Sequence, residues 1–563
     1  MRLRTLLQRH SRPATPPPTN TMSQPDSIPR DGLAELKALS SIINTSIEKI
    51  ESNLKTSKLQ FPSIYTPFTF ESEAPRAVPE IRDASALIAS AAAQMIATVR
   101  PPPASVCTSA MLFSMPAALN VVSEAHVAEV LHNAGSKGMH ISDIARPSGV
   151  DPDKLSRILR LLVTNHIFIE VSPDHFAHNR VSSVLDSGKS VDEILKDPKN
   201  KHHGTLGIAA AVGHFADEVM RSMSFLSDHV LDPVSGHSND ISDLPFNRAF
   251  DCKGTLLWKW YDDPSQQHRM ARFGFTMDGI KNMAPENAIV EGVDWKGLGE
   301  SALVVDVGGG IGSQCLTLAR NCPNLKFIVQ DRDVVLKVAT KFWNDEMPGA
   351  LASGKVTLQV HNFLEAQPVK DADAFLVRMI MHDYPDDTCL AILRHLRASA
   401  KPSTQLVIVD NIIAYACEEP AAQEIPGATL PLPPAPLLAN LGEANVVPYL
   451  MDVEMMGMTG GWERTFIQFR TLLQKAGWKV VSVHHGFSSQ WHTTFPYHFP
   501  LYAMLFGMRY RGSLVFEHCE EFLGMGMLPH PAANWYHVSA LILRACRLHI
   551  GVRITLRRST RYI

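Results

Sequence analysis

The sequence predicts two architectures in one chain: an α/β domain built on a doubly wound parallel sheet, preceded by an all-α, winged-helix-like domain. Three observations carry this. Residues 303–333, LVVDVGGGIGSQCLTLARNCPNLKFIVQDRD, read as strand, glycine-rich turn, helix and second strand. Four more strand-like stretches alternate with helical ones as far as Val483, the pattern of a parallel sheet covered on both faces. Upstream, short apolar-faced helices lead into a hairpin-like pair.

A chain of 563 residues has room for two or three domains, and 45% hydrophobic with 19% charged residues is ordinary for a globular protein. A formal net charge of −3 gives no whole-chain bias toward nucleic acid or membrane. The eight cysteines form no C-x-x-C pair, so neither a zinc site nor a disulfide framework is indicated, and no metal is expected. That usage fits a reducing, cytoplasmic setting. No run approaches the roughly 18 apolar residues that span a bilayer, so no membrane contact is expected.

Residues 1–30 are rich in Arg, Pro, Ser and Thr, with no acid before Asp26. They read as a disordered leader, since prolines 13, 16, 17 and 18 would break the amphipathic helix of a mitochondrial presequence; translation starting at Met22 is the other reading.

Residues 31–200 form the helical and winged-helix-like domain. Leu33, Leu36, Leu39, Ile43, Ile47 and Ile50 fall near helical spacing over 32–55, and an Ala/Ile helix over 84–99 is stopped by Pro101–Pro103. Short helices are expected at His126–His132 and Ser142–Arg146. A third begins at Asp151, a good N-cap before Pro152, with Leu155, Ile158, Leu159 and Leu162 on its apolar face. Ile167–Val171 and Phe176–His178 then make a hairpin around Ser172–Asp174. Lys154, Arg157 and Arg160 recur on the third helix as phosphate contacts would. Asp151 and Asp153 sit at the tip that would enter a groove, however, and no basic wing follows. A dimerisation scaffold is the better reading, with no nucleic acid bound. The long helices carry more apolar surface than this array can bury, which predicts a homodimer.

Residues 201–300 supply connecting helices. His214–Leu226 reads as one. LPFNRAF (244–250) and LLWKWYDD (256–263) follow, and Met270, Phe273, Met277 and Ile280 share a helix face. Such an aromatic and Met-rich set is core or the lining of a flat apolar pocket.

The glycine turn of the α/β domain reads D-x-G-x-G-x-G, from Asp306 through Gly308, Gly310 and Gly312. A dinucleotide site wants G-x-G-x-x-G, and a carboxylate beside the turn would oppose a pyrophosphate. It suits a ligand bearing an ammonium group. Asp331 ends the second strand, where a ribose-hydroxyl acceptor belongs. The ligand favoured is S-adenosylmethionine. Later strands are expected at Lys355–Val360, Ala374–Ile380, Gln405–Val409 and Trp478–Val483, with a helix from Asp386 to Ala400. Asp306, Asp331, Asn362, His382 and Asp410 then all lie at carboxyl ends of strands, where ligands of such sheets bind.

VVDVGGGIG, RMIMHDYPDD (378–387), IVDNII (408–413) and GGWERT (460–465), in this order, resemble the small-molecule O-methyltransferases of the plant caffeic-acid type and their fungal relatives. The resemblance covers roughly residues 85–486. It implies a class I methyltransferase fold, Rossmann-like, with the N-terminal domain used for dimerisation and a methyltransferase domain over 201–486. It implies His382 as catalytic base, flanked by Asp410, where plant members carry Glu, and by Glu463. It implies cofactor contacts from Asp306, Gly308, Gly310, Gly312, Asp331, Asn362, Phe363 and Arg378. Arg378 stands where plant members often have Lys. Asn362 replaces an Asp on the adenine side, which weakens one hydrogen bond to the adenine amine. The implied reaction moves a methyl group from S-adenosylmethionine to a hydroxyl of an aromatic small molecule, with a fungal-type polyketide or related secondary metabolite as acceptor class.

The chemistry agrees. A phenol has a pKa of roughly 10, and an imidazole near about 6.5 can take its proton, worth roughly 10² to 10⁴ in rate. A carboxylate on the other ring nitrogen fixes the tautomer. The rival reading is a winged-helix DNA-binding regulator with a non-catalytic, ligand-sensing methyltransferase-like domain, but a sensor need not keep a base between acids.

The Pro/Ala/Leu-rich segment 417–445 reads as a surface insertion, and Tyr449–Met458 as a helix on which Met451, Met455 and Met458 are core or pocket lining. The family finishes its sheet with one more strand soon after the position of Val483. No such strand is legible, and 487–563 reads as an atypical tail, either an added interaction segment or a gene-model artefact.

Overall fold

The structure is a computed structural model. It describes residues 31–282, 288–419, 425–428, 431–485 and 502–507. The expected leader and most of the expected tail lie outside these residues.

Asp31 caps the first helix, Gly32–Ser57, through its side chain to Leu33 N–H. This helix packs along a second, Pro79–Val99, burying Leu39 and Ile50. Next come helices Val127–Leu131, Ile141–Ala145 and Pro152–Thr164, and a small sheet of β1 (Met139–His140), β2 (Ile169–Ser172) and β3 (His175–Ala177) in the order β1-β3-β2. Leu155, Leu159 and Leu162 meet Phe168 and Phe176 in its core, so the winged-helix-like array forms. The last residue of its basic stripe is already engaged. Arg160 pairs with Glu170 at 3.1 Å and with Asp174 at 2.5 Å, both acids of the hairpin.

One expectation is corrected here. Pro102–Glu124 is a 23-residue helical stretch long and apolar enough, by length and composition, to cross a membrane, and little of it is buried. The sequence reading passed over it because Ala, Ser, Thr and Pro interrupt the large apolar residues, although no charge falls between Arg100 and Glu124. Val106 (71% exposed) and Phe113 (67% exposed) lie bare on its surface.

The second sheet has seven strands: β4 (Leu303–Val307), β5 (Lys326–Asp331), β6 (Val356–Val360), β7 (Ala374–Arg378), β8 (Gln405–Val409), β9 (Ser482–His485) and β10 (Tyr502–Gly507), in the order β6-β5-β4-β7-β8-β10-β9. The first five of that order run parallel, and β10 is antiparallel to both neighbours. Successive residues of a strand face opposite sides. Val304 and Leu376 pack with Leu336 and Trp343, while Val305 and Phe375 pack with Ile392 and Phe469 on the other face. Burial on both faces is why β7 and β8 read as near-continuous apolar runs and why β4 is broken only by Asp306. Strand order reverses between β4 and β7, which places the ligand crevice at their carboxyl ends.

The strand missing from the sequence reading is present as β10, and its five-residue register with β8, from Ala503↔Val409 to Gly507↔Gln405, completes the sheet. The strand expected at 478–483 starts only at Ser482: Gly477, at φ +81, turns the chain, and Trp478 is drawn inward to donate to Leu393 C=O at 3.0 Å. The insertion after β8 is not a simple surface loop. Leu437 is buried with Leu39 and Ala91, and Gln94 donates to Pro436 C=O at 3.1 Å, because its Pro/Leu composition supplies apolar surface that the N-terminal helix pair lacks.

Candidate active site

The glycine turn follows directly from the end of β4. Gly308, Gly310 and Gly312 have φ of +68, +61 and +82, a region that L side chains rarely adopt. Their surroundings differ. A Cβ on Gly312 would sit 2.8 Å from Trp343 Nε1, whose N–H pins the turn through Ile311 C=O at 3.0 Å. A Cβ on Gly308 would meet Ile380, and one on Gly309 would strike the Asp306 carboxyl at 2.4 Å. Gly310 faces no protein atom within 4 Å, so its backbone is the approachable face of the turn.

Asp306 is buried beneath the turn and accepts from Cys315 Sγ at 3.3 Å. Burial lifts its carboxyl to about 6, against the pull of Cys315 and Arg378. Asp331 accepts from Gly310 N–H at 2.8 Å and Arg332 N–H at 2.7 Å, which ties the end of β5 to the turn. Arg378, at the end of β7, lies among Asp306 and Asp410; burial lowers its pKa and those two carboxylates oppose the shift. Asn362 is exposed on the loop after β6 and accepts from Leu364 N–H at 3.1 Å. Phe363 stands edge-on to Tyr384 at 5.8 Å and beside Gly308, bridging the turn to the histidine segment.

His382 sits on a single 3-10 turn, Met381–Asp383, after β7. Three contacts fix that turn: Arg464, fully buried, donates to Met381 C=O at 2.5 Å and Tyr384 C=O at 2.8 Å, and Gly461 packs against its backbone so closely that no Cβ fits. The parallel bridge Ile412↔Arg464 brings the Glu463 loop alongside the end of β8.

Glu463 Oε1 lies 3.0 Å from His382 Nδ1 and accepts a second bond from Asn411 Nδ2 at 3.0 Å. The second acid beside the imidazole is Asp383, with Oδ1 3.6 Å from Nε2. The sequence reading assigned that place to Asp410. Asp410 instead accepts Met381 N–H at 3.2 Å, its other oxygen has no hydrogen-bond partner among the described residues, and it acts on His382 only through its charge. Burial lifts Asp410 to about 7 and Asp383 to about 6. Burial alone would lower His382, but Glu463, Asp383 and Asp410 outweigh it and raise the imidazole to about 10. Asp383, Asn411 and Arg464 were thus missed as site residues although each is the chain neighbour of one that was found. Adjacency was the available signal, and strand-end placement drew attention past it.

The fold and this site define a class: methyltransferases in which a D-x-G-x-G-x-G turn and a histidine backed by a carboxylate share one crevice. Residues 228–430 match the O-methyltransferase domain family, and residues 108–187 match the O-methyltransferase dimerisation domain. The chain is 39% identical over 454 residues to an O-methyltransferase of Armillaria gallica, covering 80% of this chain and 96% of that one. It is 38% identical over 451 residues to 4-O-methyltransferase 1 of Phanerochaete chrysosporium, covering 80% and 95%. Mitomycin 7-O-methyltransferase MmcR shares the fold, with a TM-score of 0.52, 22% identity and coverage of 72% and 98%. The chain belongs to the S-adenosylmethionine-dependent small-molecule O-methyltransferases that carry a dimerisation domain.

Proposed function

We propose that this protein methylates a hydroxyl of an aromatic secondary metabolite of fungal type, with His382 as the base that receives the hydroxyl proton. The observation that carries this reading is the His382–Glu463 pair. A buried carboxylate on Nδ1 holds the N–H there and leaves Nε2 as the atom that faces the acceptor. Ile380, two residues before His382, touches Gly308, so base and cofactor turn share a wall.

The residues present suit S-adenosylmethionine: an approachable backbone at Gly310, a carboxylate at Asp331 for hydroxyls, and Asp306 beneath the turn for an ammonium group. Arg378, Asn362 and Phe363 complete the proposed set. The bound cofactor supplies an activated methyl on a sulfonium, which needs no metal. The protein supplies alignment and a place for the proton. With His382 held near 10, the unloaded site is an imidazolium between Glu463 and Asp383. Loss of the Nε2 proton to solvent leaves a neutral imidazole, which takes the phenol's proton as the phenol oxygen attacks, so the imidazolium is restored when the methyl ether forms.

Homodimer formation belongs to the same proposal. The bare apolar helix 102–124 overlaps the start of the dimerisation-domain match at residue 108, and a second copy would cover it.

Incubation with S-adenosylmethionine and a panel of phenolic metabolites, read by mass spectrometry, tests the function. The expected result is a product one methyl heavier on an oxygen. No methylated product from any phenol overturns the reading.

A further inference from the structure

A second buried histidine lies between two carboxylates away from the cofactor turn. Helix Ile208–His214 runs into a π turn, Phe215–Val219, before Met220–Met223. Such turns shift side chains out of regular helical register and recur at functional sites. Here His214, 3% exposed, has Nδ1 3.6 Å from Glu218 Oε1 and Nε2 3.7 Å from Glu454 Oε1. Both separations exceed hydrogen-bond length. Arg272 holds Glu218 Oε2 at 2.5 Å, while Glu218 Oε1 has no hydrogen-bond partner among the described residues and faces the imidazole, as Glu454 does from the other side. Tyr261 is 1% exposed, and its hydroxyl has no hydrogen-bond partner among the described residues, as is true of His214 Nδ1. Leaving buried polar groups unpaired is costly, so several in one place call for a polar ligand.

This cluster is continuous with the proposed acceptor site. Burial and then the charge of Glu463 raise Asp383, the neighbour of His382 Nε2, and Glu454 adds a smaller push in the same direction. Phe273 lies 5.5 Å from His214, 5.4 Å from Tyr261 and 5.7 Å from Trp258, between ring centres. Trp258 Nε1 in turn donates to the Tyr384 hydroxyl at 3.2 Å. An aromatic wall therefore leads from the His382 turn to the polar cluster. Burial lowers His214, but Glu218 and Glu454 raise it to about 9, so it is a cationic donor.

We propose that His214, Glu454 and Tyr261 form a remote polar anchor of the acceptor site, which holds a second hydroxyl of the aromatic acceptor that is not the one methylated. The inference rests on the function proposed above. The set offers donors, the imidazolium and the Tyr261 hydroxyl, together with an acceptor, the Glu454 carboxylate. A hydroxyl satisfies both kinds at once. A carbonyl would leave the carboxylate unpaired, and an ammonium would leave the imidazolium unpaired.

The test compares naphthalenediols with the parent naphthols and the mono-methyl ethers, across positional isomers. It reads binding to the protein loaded with S-adenosylhomocysteine, and kcat/KM with S-adenosylmethionine. The natural protein should prefer at least one diol over its naphthol by about tenfold or more, as a site built to bond a hydroxyl does, and Glu454→Gln and His214→Gln should each bring that ratio within about threefold of unity. A variant that merely folds poorly lowers both members of a pair and leaves the ratio intact. No preference in the natural protein, or a preference unchanged in both variants, overturns the anchor. Preferential diol binding that both variants abolish, with no methyl transfer to any acceptor, supports the anchor and overturns the proposed function alone.

Discussion

Glu463 Oε1 lies 3.0 Å from His382 Nδ1 across 81 residues of sequence, and both side chains are buried. The pair makes an imidazole whose free nitrogen, Nε2, is its only route for proton exchange with an acceptor.

Replacing His382 with Ala leaves the glycine turn untouched, so S-adenosylmethionine should still bind by calorimetry. Turnover of a phenol at pH 7 should fall by roughly 10² or more, the lower range for general-base catalysis, and recover in part toward the phenol's own pKa. In the natural protein kcat/KM should rise with pH above neutrality, because the reacting site must lose one proton and His382 titrates near 10. Glu463→Gln should cost less and move this profile to lower pH, since it removes the charge that raises His382. Near-full turnover by His382→Ala at pH 7 would make the histidine structural.

The glycines should separate by function. Gly310→Val is strained at φ +61 but meets no neighbouring atom, so the fold should persist with a small loss of stability while S-adenosylmethionine binding is lost. Gly312→Ala drives a Cβ against Trp343 and Val329, so the melting temperature should fall first. Near-native cofactor affinity in Gly310→Val, measured by calorimetry, would displace the cofactor site from this turn.

Asp410→Asn should stabilise the protein at pH 8. The folded carboxyl binds its proton up to about 7, against about 3.9 unfolded, so folding loses stability as pH rises between those values and the cost persists above them. Asn keeps a carbonyl oxygen for Met381 N–H. The gain in melting temperature should be larger at pH 8 than at pH 5. A fall at pH 8 would show that the Asp410 charge is compensated in the fold.

Val106→Asp with Phe113→Asp places two charges on the bare apolar helix. Light scattering at micromolar concentration should report a dimer for the natural protein and a monomer for the double variant. A natural protein that is already monomeric would remove this surface from any self-association.

Local signals were legible where one stretch of chain determines its own structure. The D-x-G-x-G-x-G turn could be read because three left-handed positions require glycine. The central strands could be read because burial on both faces demands near-continuous apolar runs. The Asp151 cap could be read because its side chain bonds the next turn at Lys154 N–H. The last strand, Tyr502–Gly507, was not legible, since the antiparallel place between β8 and β9 is offered by the sheet rather than by the strand itself.

By itself the sequence determined the fold class, the glycine turn and the place of the histidine at a strand end, because glycine conformation and strand burial are properties of residues and their neighbours in the chain. Only the tertiary structure decided which acid meets which nitrogen. Asp410 turned to a backbone N–H and Asp383 took the Nε2 side, because the Arg464 clamp and the Ile412↔Arg464 bridge fix the His382 turn. It alone brought His214 and Glu454 together beneath the aromatic wall. Contacts between groups tens to hundreds of residues apart follow from the packing of whole elements, and no local pattern encodes them.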